Sequence, residues 1–160
     1  KIIEKHLEES TRIMGAMVQD AFYMLDNKVI LNCLNSAVDA HHSWLNTLAE
    51  MAQTGSLKVL QTDCTKCGLG HFYYALRPVN PQITGIWNGL ETKHKTFHSY
   101  GTQMIRAIQS GHGDELQRIY QEAEVCSKGL IADFESMIQE ITLLSKDGIR
   151  IFEQVAAAQQ

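Results

Sequence analysis

Apolar residues recur at helical spacing along nearly the whole chain. In residues 2–25 the seam is Ile3, Leu7, Ser10, Met14, Met17, Ala21 and Met24. Its intervals alternate between four and three, a heptad pattern interrupted by polar Ser10. This predicts an N-terminal helix, either a coiled-coil stalk leading in from an upstream module or the first helix packed on the core. Phe22 to Leu31 also has hairpin character, with Asp26 and Asn27 as turn residues. No second strand pair joins it, so a helix, or a helix broken and resumed, is expected there. A second stripe runs from Val29 to Gln53 through Ile30, Leu34, Ala37, Val38, His41, Trp44, Leu45 and Leu48. A third, from Gln82 to Ser110, carries Ile83, Trp87, Leu90, His94, Phe97, His98, Gly101, Ile105 and Ile108. The fourth opens at Asp114, a good N-cap with Gln117 as capping-box partner. It continues through Leu116, Ile119, Ala123, Cys126, Leu130, Phe134, Met137, Ile141 and Leu144.

The breaks between these stripes are sharp. Both prolines, Pro78 and Pro81, fall in one stretch. Gly55, Gly68 and Gly70 mark another irregular region, and Gly111-His112-Gly113 a third. A short helical candidate, Cys67 to Leu76, lies between the second and third stripes. Long amphipathic helices with short connections pack as bundles. The expected fold is all-α: an antiparallel four-helix bundle, an extra short helix carrying Cys67, and an N-terminal helical extension.

Composition narrows the function classes. A chain of 160 residues fits one domain with a real core. A net charge of −4 without a basic cluster argues against nucleic acid as a partner. No apolar run approaches the ~18 residues of a membrane-spanning helix, so direct membrane insertion is not expected. The four cysteines, Cys33, Cys64, Cys67 and Cys126, lack the dense spacing of a secreted disulfide scaffold. A reducing cytoplasm is the expected setting. The chain begins at Lys1 without a signal-peptide pattern, which fits a piece of a longer protein.

The strongest chemical signal is His94 and His98. At i and i+4 on a helix, both imidazoles share one face and can grip one metal ion. A surface pair would be commonplace, but these two sit in the stripe of Leu90, Phe97, Gly101 and Ile105. A tetrahedral metal needs two further ligands. His41 falls at the centre of its apolar stripe, and its neighbour His42 falls at the edge, near Asp39 and Asn46. Taken alone, His41 reads as a core histidine with its ring nitrogens paired. Cys64 and Cys67 form a CxxC. Thioredoxin-like redox chemistry needs a βαβ setting, and c-type haem attachment needs a histidine where Gly68 stands. With three histidines, two cysteines would make five ligands, one too many for tetrahedral zinc.

Three ordered blocks carry a resemblance. Ala37-Val38-Asp39-Ala40-His41-His42-Ser43-Trp44, then Cys67-Gly68-Leu69-Gly70-His71-Phe72-Tyr73, then His94-Lys95-Thr96-Phe97-His98 resemble the chemoreceptor zinc-binding domain family. That family shows a histidine three residues before a tryptophan, a Cys-x-(Leu/Phe)-Gly-x-(Trp/Phe) motif and a final HxxxH. The likeness covers roughly residues 29–144, and Phe72 stands where tryptophan is commoner. It implies that His41, Cys67, His94 and His98 bind one zinc ion and that Cys64 stands outside the motif. It further implies a homodimer and a regulatory, non-catalytic role beside an output module in the same full-length chain. Chemoreceptors and diguanylate cyclases are the proteins that carry the domain, with zinc or an oxidant such as hypochlorous acid as stimulus. Four protein ligands leave no open position for an activated water, in keeping with a non-enzymatic role.

On this reading residues 1–28 are a helical lead-in, 29–148 the zinc-binding bundle and 149–160 a C-terminal tail. Glu91, at i−3 from His94, either orients that ligand or is a solvated carboxylate. Cys33, Cys126, Trp44, Trp87, Phe97 and Phe134 are expected in the core. Two alternatives remain: a helical interaction bundle without metal, and a di-iron haemerythrin-like bundle. The second would need paired ExxH elements, of which only Glu91-x-x-His94 is present.

Overall fold

The computed structural model describes residues 2–23 and 26–151, with the side chains of residues 15–23 excepted. Among the described residues there are five α-helices: α1 (Ile2–Tyr23), α2 (Asn27–Thr54), α3 (Gly68–Tyr73), α4 (Pro81–Gln109) and α5 (Leu116–Lys146). No strand occurs among the described residues, and the all-α expectation holds. Phe22 and Tyr23 close α1 while Asn27 opens α2, so the stretch with hairpin character is helix on both sides of a break.

The helix ends follow local chemistry. Asn80 caps α4 by accepting the Gln82 N–H at 2.9 Å, with Pro81 at the first helical position, where it has no donor to lose. The expected cap at Asp114 does not form. A short 3-10 turn, Gly113–Glu115, intervenes, and α5 starts at Leu116 without a side-chain cap. The backbone satisfies itself there instead, Glu115 N–H donating to His112 O at 3.1 Å.

Helices α2, α4 and α5 pack on one another, and α3 lies against α2. The core is continuous from Ile30, Leu34 and Leu48 through Ile83, Leu90 and Phe97 to Ile119, Leu130, Phe134 and Met137. The buried faces drift slightly from the sequence stripes. Met104 and Ala107 are buried where Ile105 and Ile108 were expected, and these isoleucines are half-buried. Ser127, not Cys126, faces inward on α5. A straight helix rotates ~20° per heptad away from a fixed repeat, enough to exchange such neighbours.

Both α2 and α4 begin where α5 ends. Asn27 Nδ2–H donates to Ser145 Oγ at 3.0 Å and to Ile149 O at 2.7 Å. The Ile151 N–H returns a bond to Asn27 Oδ1 at 3.1 Å. The N–H groups of Val79 and Asn80 donate to Ile151 O. Helices α2 and α4 therefore run parallel to each other and antiparallel to α5, because residues 55–80 carry the chain back along the bundle. Ile151 is fully buried, so the chain just after α5 is part of the packed body. The described side chains of α1, residues 2–14, are exposed, including Ile3, Leu7 and Met14 of the heptad seam. Met17, Ala21 and Met24, and the tail from residue 152, lie outside the described side chains. Among the described residues no helix is long and apolar enough to cross a membrane.

Candidate metal centre

Parallel α2 and α4 bring three imidazoles together inside the bundle. His41, His94 and His98 are each at most 3% exposed. The ring of His41 lies 5.1 Å from that of His94 and 5.6 Å from that of His98, centroid to centroid. Phe97 and Phe134 pack on His41 from α4 and α5, so the ring is walled by apolar groups. His42, one residue on, is exposed. The stripe-centre position of His41 is thus the inward one.

The fourth group arrives from the connection between α2 and α4. Cys67 is the N-cap of α3, where its sulfur accepts the Gly70 N–H at 3.3 Å. A Cβ on Gly70 would collide with the Cys64 carbonyl, so glycine lets the turn close around the sulfur. The Cys67 S–H lies 3.5 Å from the same carbonyl. Cys67 Sγ is 3.3 Å from His94 Nε2, and His94 Nε2 is 3.1 Å from His98 Nε2. The four donor atoms of His41, Cys67, His94 and His98 all lie within 4.8 Å of one another.

Two of the imidazoles are held by main-chain carbonyls. His41 Nδ1 sits 2.6 Å from Ala37 O, one turn earlier on α2, and His98 Nδ1 sits 2.8 Å from Gln61 O. A carbonyl only accepts, so each ring carries its proton on Nδ1 and offers the Nε2 lone pair. His41 Nε2 is buried and has no hydrogen-bond partner among the described residues. Leaving such a group unsatisfied costs on the order of 1–3 kcal/mol, and a cation shared by the four donors would remove that cost.

Zinc fits the set. Bond lengths of about 2.0–2.1 Å to nitrogen and 2.3 Å to sulfur imply tetrahedral donor separations of about 3.3–3.6 Å. The observed 3.1 and 3.3 Å separations lie just below that range and at its lower edge. Imidazole with thiolate is a zinc-type donor set, unlike the oxygen shells of calcium or magnesium. No carboxylate belongs to the cluster, which removes the basis for a di-iron centre. Glu91 is exposed and accepts a bond from the Tyr74 hydroxyl at 3.4 Å, so it is a solvated carboxylate.

Electrostatics favour the ligating forms of the histidines. Burial, then His98 and His41, push His94 down to about 3. Burial also takes His41 down to about 4, against the pull of the Ala37 carbonyl. His98 is lowered by burial too, with Gln61 O and Asp63 opposing. All three rings are neutral near pH 7. Cys67 differs: burial raises its thiol above the usual value, although backbone N–H groups of Gly70 and Leu69 oppose this. It therefore holds its proton until a cation displaces it.

Residues 41–105 match the family model described as the chemoreceptor zinc-binding domain. The matched stretch starts at His41 and contains the whole cluster. This part of the chain is similar to that family, and the match spans less than half of the 160 residues. Comparison with the curated proteins and with the solved structures gives no match. The chemoreceptor zinc-binding domain is a regulatory family, not a catalytic one.

The other cysteines are not part of the cluster. Cys64 is buried, Cys33 and Cys126 are half-buried, and all four cysteines are free thiols. Some contributors were not foreseen. The main-chain carbonyls of Ala37 and Gln61 leave no mark in a side-chain pattern. Trp44, expected as plain core, also donates its indole N–H to Gln61 O at 2.8 Å. Gly101 did carry a signal, since a glycine inside an apolar helix stripe indicates a close approach.

Proposed function

We propose that the chain is the zinc-binding sensory part of a bacterial signalling protein, in which His41, Cys67, His94 and His98 hold one zinc ion. The observation that carries this is the convergence of four donor atoms within 4.8 Å from α2, α4 and the segment before α3. Bound zinc would supply a cross-link between these segments rather than a reaction centre, since all four positions are taken by protein. The residues do the rest. Ala37 O and Gln61 O fix two tautomers, Phe97 and Phe134 exclude water around His41, and Cys67 gives up its proton on binding.

Regulation follows from reciprocity. A ligand that tightens the contact of α3 with α2 and α4 favours the conformation in which they are tight. The stimulus in this reading is zinc itself or an oxidant such as hypochlorous acid. In the second case the Cys67 thiolate attacks the chlorine of hypochlorous acid and hydroxide leaves. Water then displaces chloride from the sulfenyl chloride, and the resulting sulfenic acid is a poorer ligand. The half-buried position of Cys67 supports access for so small a reagent.

The division into lead-in (residues 1–28), zinc-binding bundle (29–148) and tail (149–160) belongs to this reading, with Ile151 arguing that the packed body extends slightly further. So does a cytoplasmic homodimer paired through the α1 seam, which passes zinc or oxidant status to an output module of chemoreceptor or diguanylate cyclase type. Metal analysis tests the core of the proposal. Wild-type protein should carry one zinc per chain, His42→Ala should retain it, and His41→Ala should lose it. Zinc retained by His41→Ala and lost by His42→Ala would overturn the ligand set.

A further inference from the structure

We propose that Trp44 is a positioning residue for the metal centre: its indole N–H anchors the strap at residues 60–63 and so sets both His98 and Cys67. This rests on the zinc reading above. A single carbonyl, Gln61 O, accepts from Trp44 Nε1–H on α2 and from His98 Nδ1–H on α4, each at 2.8 Å. The strap is thereby pinned to two helices at one atom. The same peptide group decides which nitrogen of His98 faces the cluster.

The strap is also built to carry that position forward to Cys67. Gln61 Oε1 accepts the Asp63 N–H at 3.1 Å, and Asp63 Oδ1 accepts both the N–H and the hydroxyl of Thr65. Lys66 N–H then bonds Asp63 O at 3.0 Å, which closes the turn onto Cys67. Two of the four donors thus depend on one anchored segment. Gly101 makes the anchoring possible. A Cβ there would lie 2.8 Å from Trp44 Cζ2 and 3.1 Å from both Leu60 and Thr62. The bare backbone of α4 is the seat on which indole and strap meet.

Plain packing is the competing account. Trp44 is 8% exposed and lies against Phe97, with ring centroids 4.5 Å apart. Trp44→Phe bears on both accounts, because it keeps an aromatic ring but removes the anchor N–H together with part of the indole's volume; the His98 Nδ1 proton and a packing control separate them. Loss of an outer-shell partner weakens metal binding by about 10–100-fold. Competition against a chromophoric chelator should therefore show zinc held about tenfold more weakly by Trp44→Phe. Nitrogen NMR of the metal-free chain should show the His98 Nδ1 proton exchanging faster than in wild type. Ile83→Val, a buried change near the start of α4, should lower stability while leaving zinc affinity unchanged. Gly101→Ala, which pushes on the same seat, should shift affinity in the same direction and serves if Trp44→Phe does not fold. Wild-type zinc affinity in both variants, with an unchanged His98 proton, overturns the inference and leaves the zinc reading intact. A wild-type chain that takes up no zinc overturns both.

Discussion

Helix α1 and the buried histidine cluster are opposites. Along α1, Ile3, Leu7 and Met14 expose 75%, 62% and 62% of their surface. In the bundle, His41, His94 and His98 expose 3%, 2% and 2%. One region holds apolar groups in water and the other holds polar groups in a core. Both arrangements are costly for an isolated chain, by desolvation in one case and by hydration in the other. Sequence pattern alone does not say what will be buried. A heptad seam is no guarantee of a core, and a histidine in an apolar stripe can be carried fully inside by its neighbours.

The largest expected effect is on the buried region. If zinc relieves the centre, chelation should destabilise the bundle. A ligand present at a thousandfold excess over its dissociation constant contributes about 4 kcal/mol. For a chain of this size that is about 8–16 °C in melting temperature. Differential scanning calorimetry with and without a strong chelator measures it. A melting temperature unmoved by chelation would mean that the three imidazoles are accommodated without metal, which favours the metal-free interaction bundle.

Acid probes the same contrast with a smaller effect. In an unfolded chain a histidine titrates near 6.5, whereas His41 and His94 in the fold are at about 4 and about 3. Above pH 6.5 neither state binds the proton and these groups add no pH dependence. Below it the unfolded chain takes up protons that the fold refuses, so metal-free stability falls as pH drops through 6.5 toward 4 and then 3. For His41 alone this is worth about 2 kcal/mol at pH 5. Urea unfolding of the chelated protein between pH 5 and 8 should show that slope. His41→Phe should flatten it. Zinc uptake should also weaken with acid, because Cys67 must lose a proton that burial already makes it keep.

Much of the buried region was legible in the chain. Periods of three and four placed His94, His98 and His41 on inward faces, and the turn glycines marked Cys67 as a residue at a helix start. What was not legible is main-chain in origin. The Gln61 carbonyl that holds His98 has no side-chain signature. Nor does the parallel course of α2 and α4, which depends on how residues 55–80 fold back. The missing Asp114 cap has the same cause, since a 3-10 turn settled the backbone donors before the side chain was needed. On α5 the one-residue shift from Cys126 to Ser127 shows the limit of reading a stripe by heptads.

The exposed region gives the smallest effect on stability and the sharper test of association. Leu7→Ser removes an apolar group that is already in water, so a surface change of this kind should move bundle stability by no more than about 0.5 kcal/mol. If α1 pairs with a second copy along Ile3, Leu7 and Met14, the same substitution places a hydroxyl in a coiled-coil seam and weakens the dimer. Sedimentation equilibrium of wild type and Leu7→Ser over a range of concentrations separates the two cases. A dissociation constant raised severalfold at constant melting temperature assigns the seam to self-association. An unchanged dimer would instead place the contact on the bundle, and the heptad in α1 would then have to be explained by a helix outside this chain.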